Sequence, residues 1–175
     1  MLSKEELVDL LSSDTEAFNN EIKSISGGAD LSECDLSDIV INGAEFNNVD
    51  LTSSSFADAS LTSVKFDGCD LTSVDFTRAN LVECSFNESV LNGTDFSFAT
   101  VDYGNFSDAD LAGAIFQSAD LSNSDFTTAE NLSACRFDED TIWPDSEYLP
   151  EDFDTSCSSD LSSLKDDDDY EPGDY

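Results

Sequence analysis

Residues 49–68 read VDLTSSSFADASLTSVKFDG and residues 69–88 read CDLTSVDFTRANLVECSFNE, with a large apolar residue at every fifth place. Here those places hold Leu51, Phe56, Leu61, Phe66, Leu71, Phe76, Leu81 and Phe86. Followed outward, the phase runs back through Phe46, Ile41 and Leu36 to Leu31. It runs on through Leu91, Phe96, Val101, Phe106, Leu111, Phe116 and Leu121 to Phe126. Two residues before each central residue stands a mostly small one, such as Ala29, Ala44, Ala59, Cys69, Ala79, Cys84, Ala109 or Ala119. The residue just before the centre is often Asp or Asn, and the one just after is often Ser or Thr. A helix places apolar residues about every 3.6 positions and a half-buried strand every second one, so neither explains a period of five. A solenoid does, each unit making one short side and a corner.

GGADL, RANLV, DADLA and SADLS carry the motif A-(D/N)-L-x-x. In this the chain resembles the pentapeptide-repeat family over residues 29–143. The resemblance implies an all-β solenoid, a right-handed quadrilateral β-helix with four units per coil. It also implies that the central and small residues point inward while the other three face solvent. Residues 29–128 then make five regular coils, followed by a closing partial coil. With coils about 4.8 Å apart, the regular rod is roughly 24 Å long. Stacking every twentieth residue gives columns of Leu51, Leu71, Leu91 and of Phe66, Phe86, Phe106, so medium and large columns alternate around the square. Gly43, Gly68, Gly93 and Gly113 all fall on the last position of the unit, where a turn with positive φ is expected.

A solenoid exposes its core at each end and needs caps. Residues 1–28 are expected to form a small helical N-terminal cap. Ser3-x-x-Glu6 and Ser13-x-x-Glu16 read as capping boxes, and Gly27-Gly28 as the stop. At the other end the phase slips by one residue near Glu130-Asn131 and resumes at Leu132, Phe137 and Ile142, with Trp143-Pro144 closing the rod. Residues 144–175, with Asp166 to Asp169, read as a disordered acidic tail.

Forty acids oppose six bases, a formal net charge of −34. Such a surface repels nucleic acid and anionic membranes and attracts cations and basic proteins. Eighteen acids and two bases lie between residues 29 and 128, spread over every side. So even a spread favours solvation in high salt, and the composition resembles that of proteins from salt-in halophiles. No apolar run is long enough to span a membrane, and the N-terminus has no signal segment, so a cytoplasmic location is expected. The five cysteines have no metal-type spacing and there is no histidine, which argues against a disulfide framework and a zinc site. Cys34, Cys69, Cys84 and Cys135 read as small buried hydrophobes, and Cys157 as the exposed one.

No catalytic, metal or cofactor-binding residues are expected, because outward acids on a convex rod form no desolvated cleft. The candidate partner surface comprises Asp50, Asp70, Asp75, Asp95 and Asp110, together with Phe98 and Tyr103, two aromatics at outward positions. The function expected first is an acidic rod serving as a non-enzymatic protein-interaction or scaffold module, as a monomer or weak dimer. The second comes from the resemblance: quinolone-resistance members of the family mimic DNA and bind DNA gyrase. A third, an ice-binding face, would want an unbroken threonine column, and Ser32, Thr52, Thr72, Asn92, Ala112 breaks.

Overall fold

The structure, a computed structural model, describes residues 2–156. Two helices precede a right-handed quadrilateral β-helix. Helix α1 spans Lys4–Ser13 and α2 spans Thr15–Ser24. Ser3 starts α1 with a complete capping box, its hydroxyl accepting from Glu6 N and the Glu6 carboxylate accepting from Ser3 N. The second helix departs from expectation: Asp14, not Ser13, is its N-cap, accepting from Ala17 N at 3.0 Å. A carboxylate at that end also meets the positive pole of the helix dipole.

From Ala29 the chain winds as a square tube. Each of the twenty central residues from Leu31 to Phe126 is at most 3% exposed. One unit shows why five residues suffice. Cys69 N donates to Phe66 O, closing the turn. Asp70 N donates down to Val49 O, while Leu71 N and Ser73 N donate up to Val90 O and Asn92 O. Thr72 N donates to the Asp70 carboxylate at 3.0 Å. Every N–H is satisfied, four by backbone and one by the side chain two residues earlier. The last residue of each unit is left-handed at all eighteen corners from Glu33 to Ser118. Four of these are glycine, where that conformation costs least.

On one side the chain straightens into three-residue parallel strands, β1 (Val40–Asn42), β2 (Ser60–Thr62), β3 (Asn80–Val82) and β4 (Thr100–Asp102). Their register shifts by twenty residues per coil, Ile41 over Leu61 over Leu81 over Val101. We call this side face 3, and number the sides by their first central residues: Leu31 (face 1), Leu36 (face 2), Ile41 (face 3) and Phe46 (face 4).

Phe46, Phe66, Phe86, Phe106 and Phe126 stack along face 4, with centroids 4.3–5.2 Å apart and planes within 9°. Phe56, Phe76, Phe96 and Phe116 stack likewise on face 2. The stacks meet edge to face across the tube, as at Phe66–Phe76, where the centroids are 5.6 Å apart and the planes 76°. Both arrangements suit the ring quadrupole. Phe18 of α2 closes one end edge-on over Phe46, and Trp143 closes the other against Phe116 and Phe126.

The closing turn differs from the expected one. Phe116 N, Leu121 N and Phe126 N reach up to Arg136 O, Ile142 O and Tyr148 O. Leu111 N reaches Glu130 O, so the three sides that follow carry six residues each instead of five. The first insertion is Asn131, left-handed ahead of a 3-10 turn at Leu132–Ala134. A second falls in the Asp138–Thr141 turn, where Thr141 and Asp140 N donate to the Asp138 carboxylate. Because of it, Ile142 is displaced outward and is 53% exposed, and Trp143 takes the inward place expected for Ile142. A third precedes Leu149, which is buried. Residues 144–156 also pack on the rod, Phe153 lying 4.9 Å edge-on from Trp143. The boundary expected at residue 144 therefore moves outward, and the tail with Asp166 to Asp169 and Cys157 lies outside the described residues.

Phe66→Ala opens a void between two stacked rings and two crossed ones. The expected loss is about 3–5 kcal/mol in urea unfolding. A loss below 1 kcal/mol would mean that the stack does not bear on stability.

Candidate functional site: the acidic surface and its aromatic corners

The acids expected as a partner surface sit just before central residues, and the structure gives them a local task. Asp50, Asp70, Asp75, Asp95 and Asp110 each accept the N–H two residues on through Oδ1, at 2.8–3.2 Å. Where a hydroxyl follows, it can donate to the same oxygen, as Thr52 does to Asp50 at 2.6 Å. This Asx turn explains both the Asp/Asn preference before the centre and the Ser/Thr preference after it. In β1 to β4 the corresponding places hold Val40, Ser60, Asn80 and Thr100, and the chain extends instead. Asp120 restores the turn in the next coil, accepting from Ser122 N.

These residues do not form one patch. Asp50 and Asp70 are ladder neighbours on face 1, and Asp110 shares that face, separated from them by Val90. Asp75 and Asp95 are neighbours on face 2. Phe98 and Tyr103 stand at the two corners flanking β4, 60% and 65% exposed. Both are left-handed, with φ of 61° and 55°, an unfavourable place for a bulky residue.

Four of the six bases lie in the first 78 residues. Lys4 pairs with Asp30 at 3.0 Å and also donates to Ser32 O, tying α1 to the first coil. Lys23 and Lys65 share Glu45, and Arg78 holds Asp58 through two hydrogen bonds, Nε to Oδ1 and Nη2 to Oδ2. Between Arg78 and Arg136 the chain has no base. Hydrogen bonds from Ser32 and the Lys4 ammonium pull the Asp30 carboxyl down to about 2. Asn19 adds a neutral clasp between α2 and the rod, donating to Gly43 O and accepting from Glu45 N.

Among the described residues, four of the five buried hydroxyls and all the buried thiols sit at the small position or its counterpart in the closing coil; Ser97 is the exception. Burial pushes Cys69 and Cys135 up to about 12 and Cys84 up to about 11, so these thiols are poor nucleophiles. Sequence reasoning missed a role at this position. Ser54, Thr94 and Ser124 donate to the central carbonyl 23 residues back, on the coil below, at 2.8–2.9 Å. The signal available was a hydroxyl where alanine prevails. It also missed Tyr148, which lies beyond the regular phase and lines a groove with Tyr103. Among the described residues, no group of three or more His, Cys, Asp and Glu side chains could hold a metal ion, and no helix is long and apolar enough to cross a membrane.

A square tube with five-residue sides, inward Leu and Phe, and Asx-capped corners defines the pentapeptide-repeat class. The family models agree: one for a pentapeptide repeat region matches residues 27–96, and one for pentapeptide repeats in eight copies matches 91–128 and 105–139. The chain belongs to the pentapeptide-repeat family. No curated protein matches it in sequence. Among solved structures it is similar to the pentapeptide repeat protein Rfr23 from the cyanobacterium Cyanothece 51142, at 18% identity over 73% of this chain and 98% of that one, with a TM-score of 0.63. A second match is a trypsin-treated form of QnrB1, a plasmid-mediated fluoroquinolone resistance protein, at 24% identity over 64% of this chain and 59% of that one, with a TM-score of 0.45. At these identities the likeness to Rfr23 is one of fold.

Asp50→Ala should cost about 1 kcal/mol by removing a cap, whereas Asp50→Asn, which can still accept, should cost little. Equal losses in the two variants would show that charge, not capping, matters at this position. Asp30 tests the ion pair. Its folded pKa is depressed, so its stabilisation is complete above about pH 4 and fades as pH falls toward 2. The stability difference between the wild type and Asp30→Asn should shrink across that window in pH-dependent urea melts. A constant difference would contradict the assignment.

Proposed function

We propose that this chain is a non-catalytic interaction rod that offers a fixed array of carboxylates to a basic surface on a partner protein. The observation behind this reading is the double use of each capping aspartate. Oδ1 of Asp50, Asp70, Asp75 or Asp95 is held by the backbone two residues on. The side chain is thereby oriented before any partner arrives, and its other oxygen has no partner among the described residues. Exposed acids ordinarily lose rotamer freedom on binding; these have already lost most of it, which lowers the entropic cost of association. The coil repeat sets their spacing, about 4.8 Å along a ladder. The inward residues are apolar side chains, small hydroxyls and raised thiols, which leaves no desolvated acid–base pair for chemistry.

One quantity favours the second reading, a DNA mimic acting on DNA gyrase. The five coils carry eighteen acids and two bases over roughly 24 Å, about one net negative charge per 1.5 Å. Duplex DNA carries about one per 1.7 Å. Against it stands the distribution: the acids lie on all four sides and also on the N-terminal cap.

Two assays on the full chain separate the readings. An interaction rod should bind a labelled arginine-containing peptide in fluorescence anisotropy, weakening steeply from 0.15 to 1 M KCl, and leave gyrase supercoiling untouched. A DNA mimic should inhibit supercoiling at stoichiometric amounts. No binding of the basic peptide at 0.15 M KCl would overturn the first reading.

A further inference from the structure

We infer that the groove between Tyr103 and Tyr148, near the C-terminal end of the rod, receives an arginine side chain from a basic segment of the partner. The inference rests on the interaction-rod reading above and names where on the rod recognition is specific. The groove has a volume of about 540 Å³, and its walls include Tyr103, Asn123, Asp125, Asp145, Glu147 and Tyr148. It forms because the closing coil carries extra residues. Phe126 N donates to Tyr148 O at 2.8 Å, which seats the 3-10 turn Ser146–Tyr148 above face 4. Tyr103 stands two coils below. Between them Asn123 is drawn down by its hydrogen bond to Asp102, at 2.8 Å.

Three features point to a cation with a flat apolar face. Both tyrosines are exposed, so the groove already has two aromatic walls in water. Carboxylates stand beside them, and Asp125 is preset by Thr127, whose N–H and hydroxyl both donate to its Oδ1. Among the described residues, none of those lining the groove is a cation. Its nearest base in sequence, Arg136, sits on face 2 over Ile115, on the opposite side of the tube. Guanidinium stacks on aromatic rings and pairs with carboxylates in the same pose, which ammonium does not do.

The backbone adds a reason to look at Tyr103. Of the eighteen left-handed corners, sixteen hold Gly, Ser, Asn, Asp, Glu or Arg, and only Phe98 and Tyr103 are aromatic. Glycine would be favoured at that φ, so the tyrosine ring is kept against a local preference.

The test uses that preference. Tyr103→Gly removes the ring at a corner where glycine is favoured, so its melting temperature should equal or exceed that of the wild type. Ser73→Gly relieves a corner in the same way without touching the groove. With the full chain, anisotropy is measured for an arginine peptide and for its lysine counterpart. The expected result is tighter binding of the arginine peptide, weakened at least tenfold by Tyr103→Gly and by Tyr148→Ala, and unchanged by Ser73→Gly. Binding of the arginine peptide within twofold of wild type in both tyrosine variants would overturn the groove while leaving the acidic rod intact. Equal affinity for the lysine peptide would do the same. If neither peptide binds the wild type, the groove and the interaction-rod reading fall together.

Discussion

The two phenylalanine stacks set the dimensions to which the other parts of the rod adjust. Rings at about 5 Å intervals match the spacing at which parallel coils exchange backbone hydrogen bonds, so the aromatic repeat and the hydrogen-bond ladder enforce the same pitch. The stacks stand on opposite faces and touch edge to face, which fixes the width of the tube. Leucine, isoleucine and valine on faces 1 and 3 fill what remains, and the small inward position holds Ala, Cys, Ser, Thr, Gly or Val beside them, except at Ile39 in the first coil, which is only partly buried. The two ends follow from the same constraint. A stack of rings must finish against something apolar, and the chain supplies Phe18 at one end and Trp143 at the other.

The surface is tied to this core through the turn. Outside the strands, many units leave one N–H that the backbone ladder does not reach, and an acceptor two residues back, most often an aspartate, takes it. Part of the coils' negative charge is therefore structural in origin: nine of their eighteen acids accept such an N–H, because the turn rewards an acceptor there. Asparagine could serve as well, as Asn105 does for Ser107, so the turn alone does not explain why aspartate prevails. The excess of aspartate over asparagine is the part of the charge that calls for a functional or environmental reason.

How much could be read from sequence depended on whether the unit length was kept. From Leu31 to Phe126 it never varies, and one observation placed every inward residue, the Phe66–Phe86 stack and the corner glycines. Past Glu130 each side has six residues, so the phase slips by one residue per side. Periodicity then pointed to Ile142 where the core takes Trp143, and saw nothing at Leu149 or Tyr148. At the N-terminus, Ser13 and Asp14 are both good N-caps, and only the position of the helix start decides between them. The capping role of Asp50 and Asp70 was hidden differently: the Asp-x-Thr pattern was visible, but an outward acid on a charged chain looks like any solvated acid until the neighbouring N–H is seen to need it.

Regularity also bears on where such a rod becomes specific. A perfectly repeated surface presents the same chemistry at every coil, so a partner could bind it in several registers of nearly equal energy. Discrimination requires positions that break the repeat. In this chain the breaks cluster in and above the fourth coil: aromatic corners at Phe98 and Tyr103, no base between Arg78 and Arg136, and a closing turn of six-residue sides that brings Tyr148 over face 4. The first three coils hold the ion pairs of Lys65 and Arg78 and anchor the helical cap. Stability devices and surface irregularities thus lie toward opposite ends of the rod. The closing coil can depart from the five-residue rule because, among the described residues, no further regular coil has to match its register, and that freedom lets it build the groove beside Tyr103.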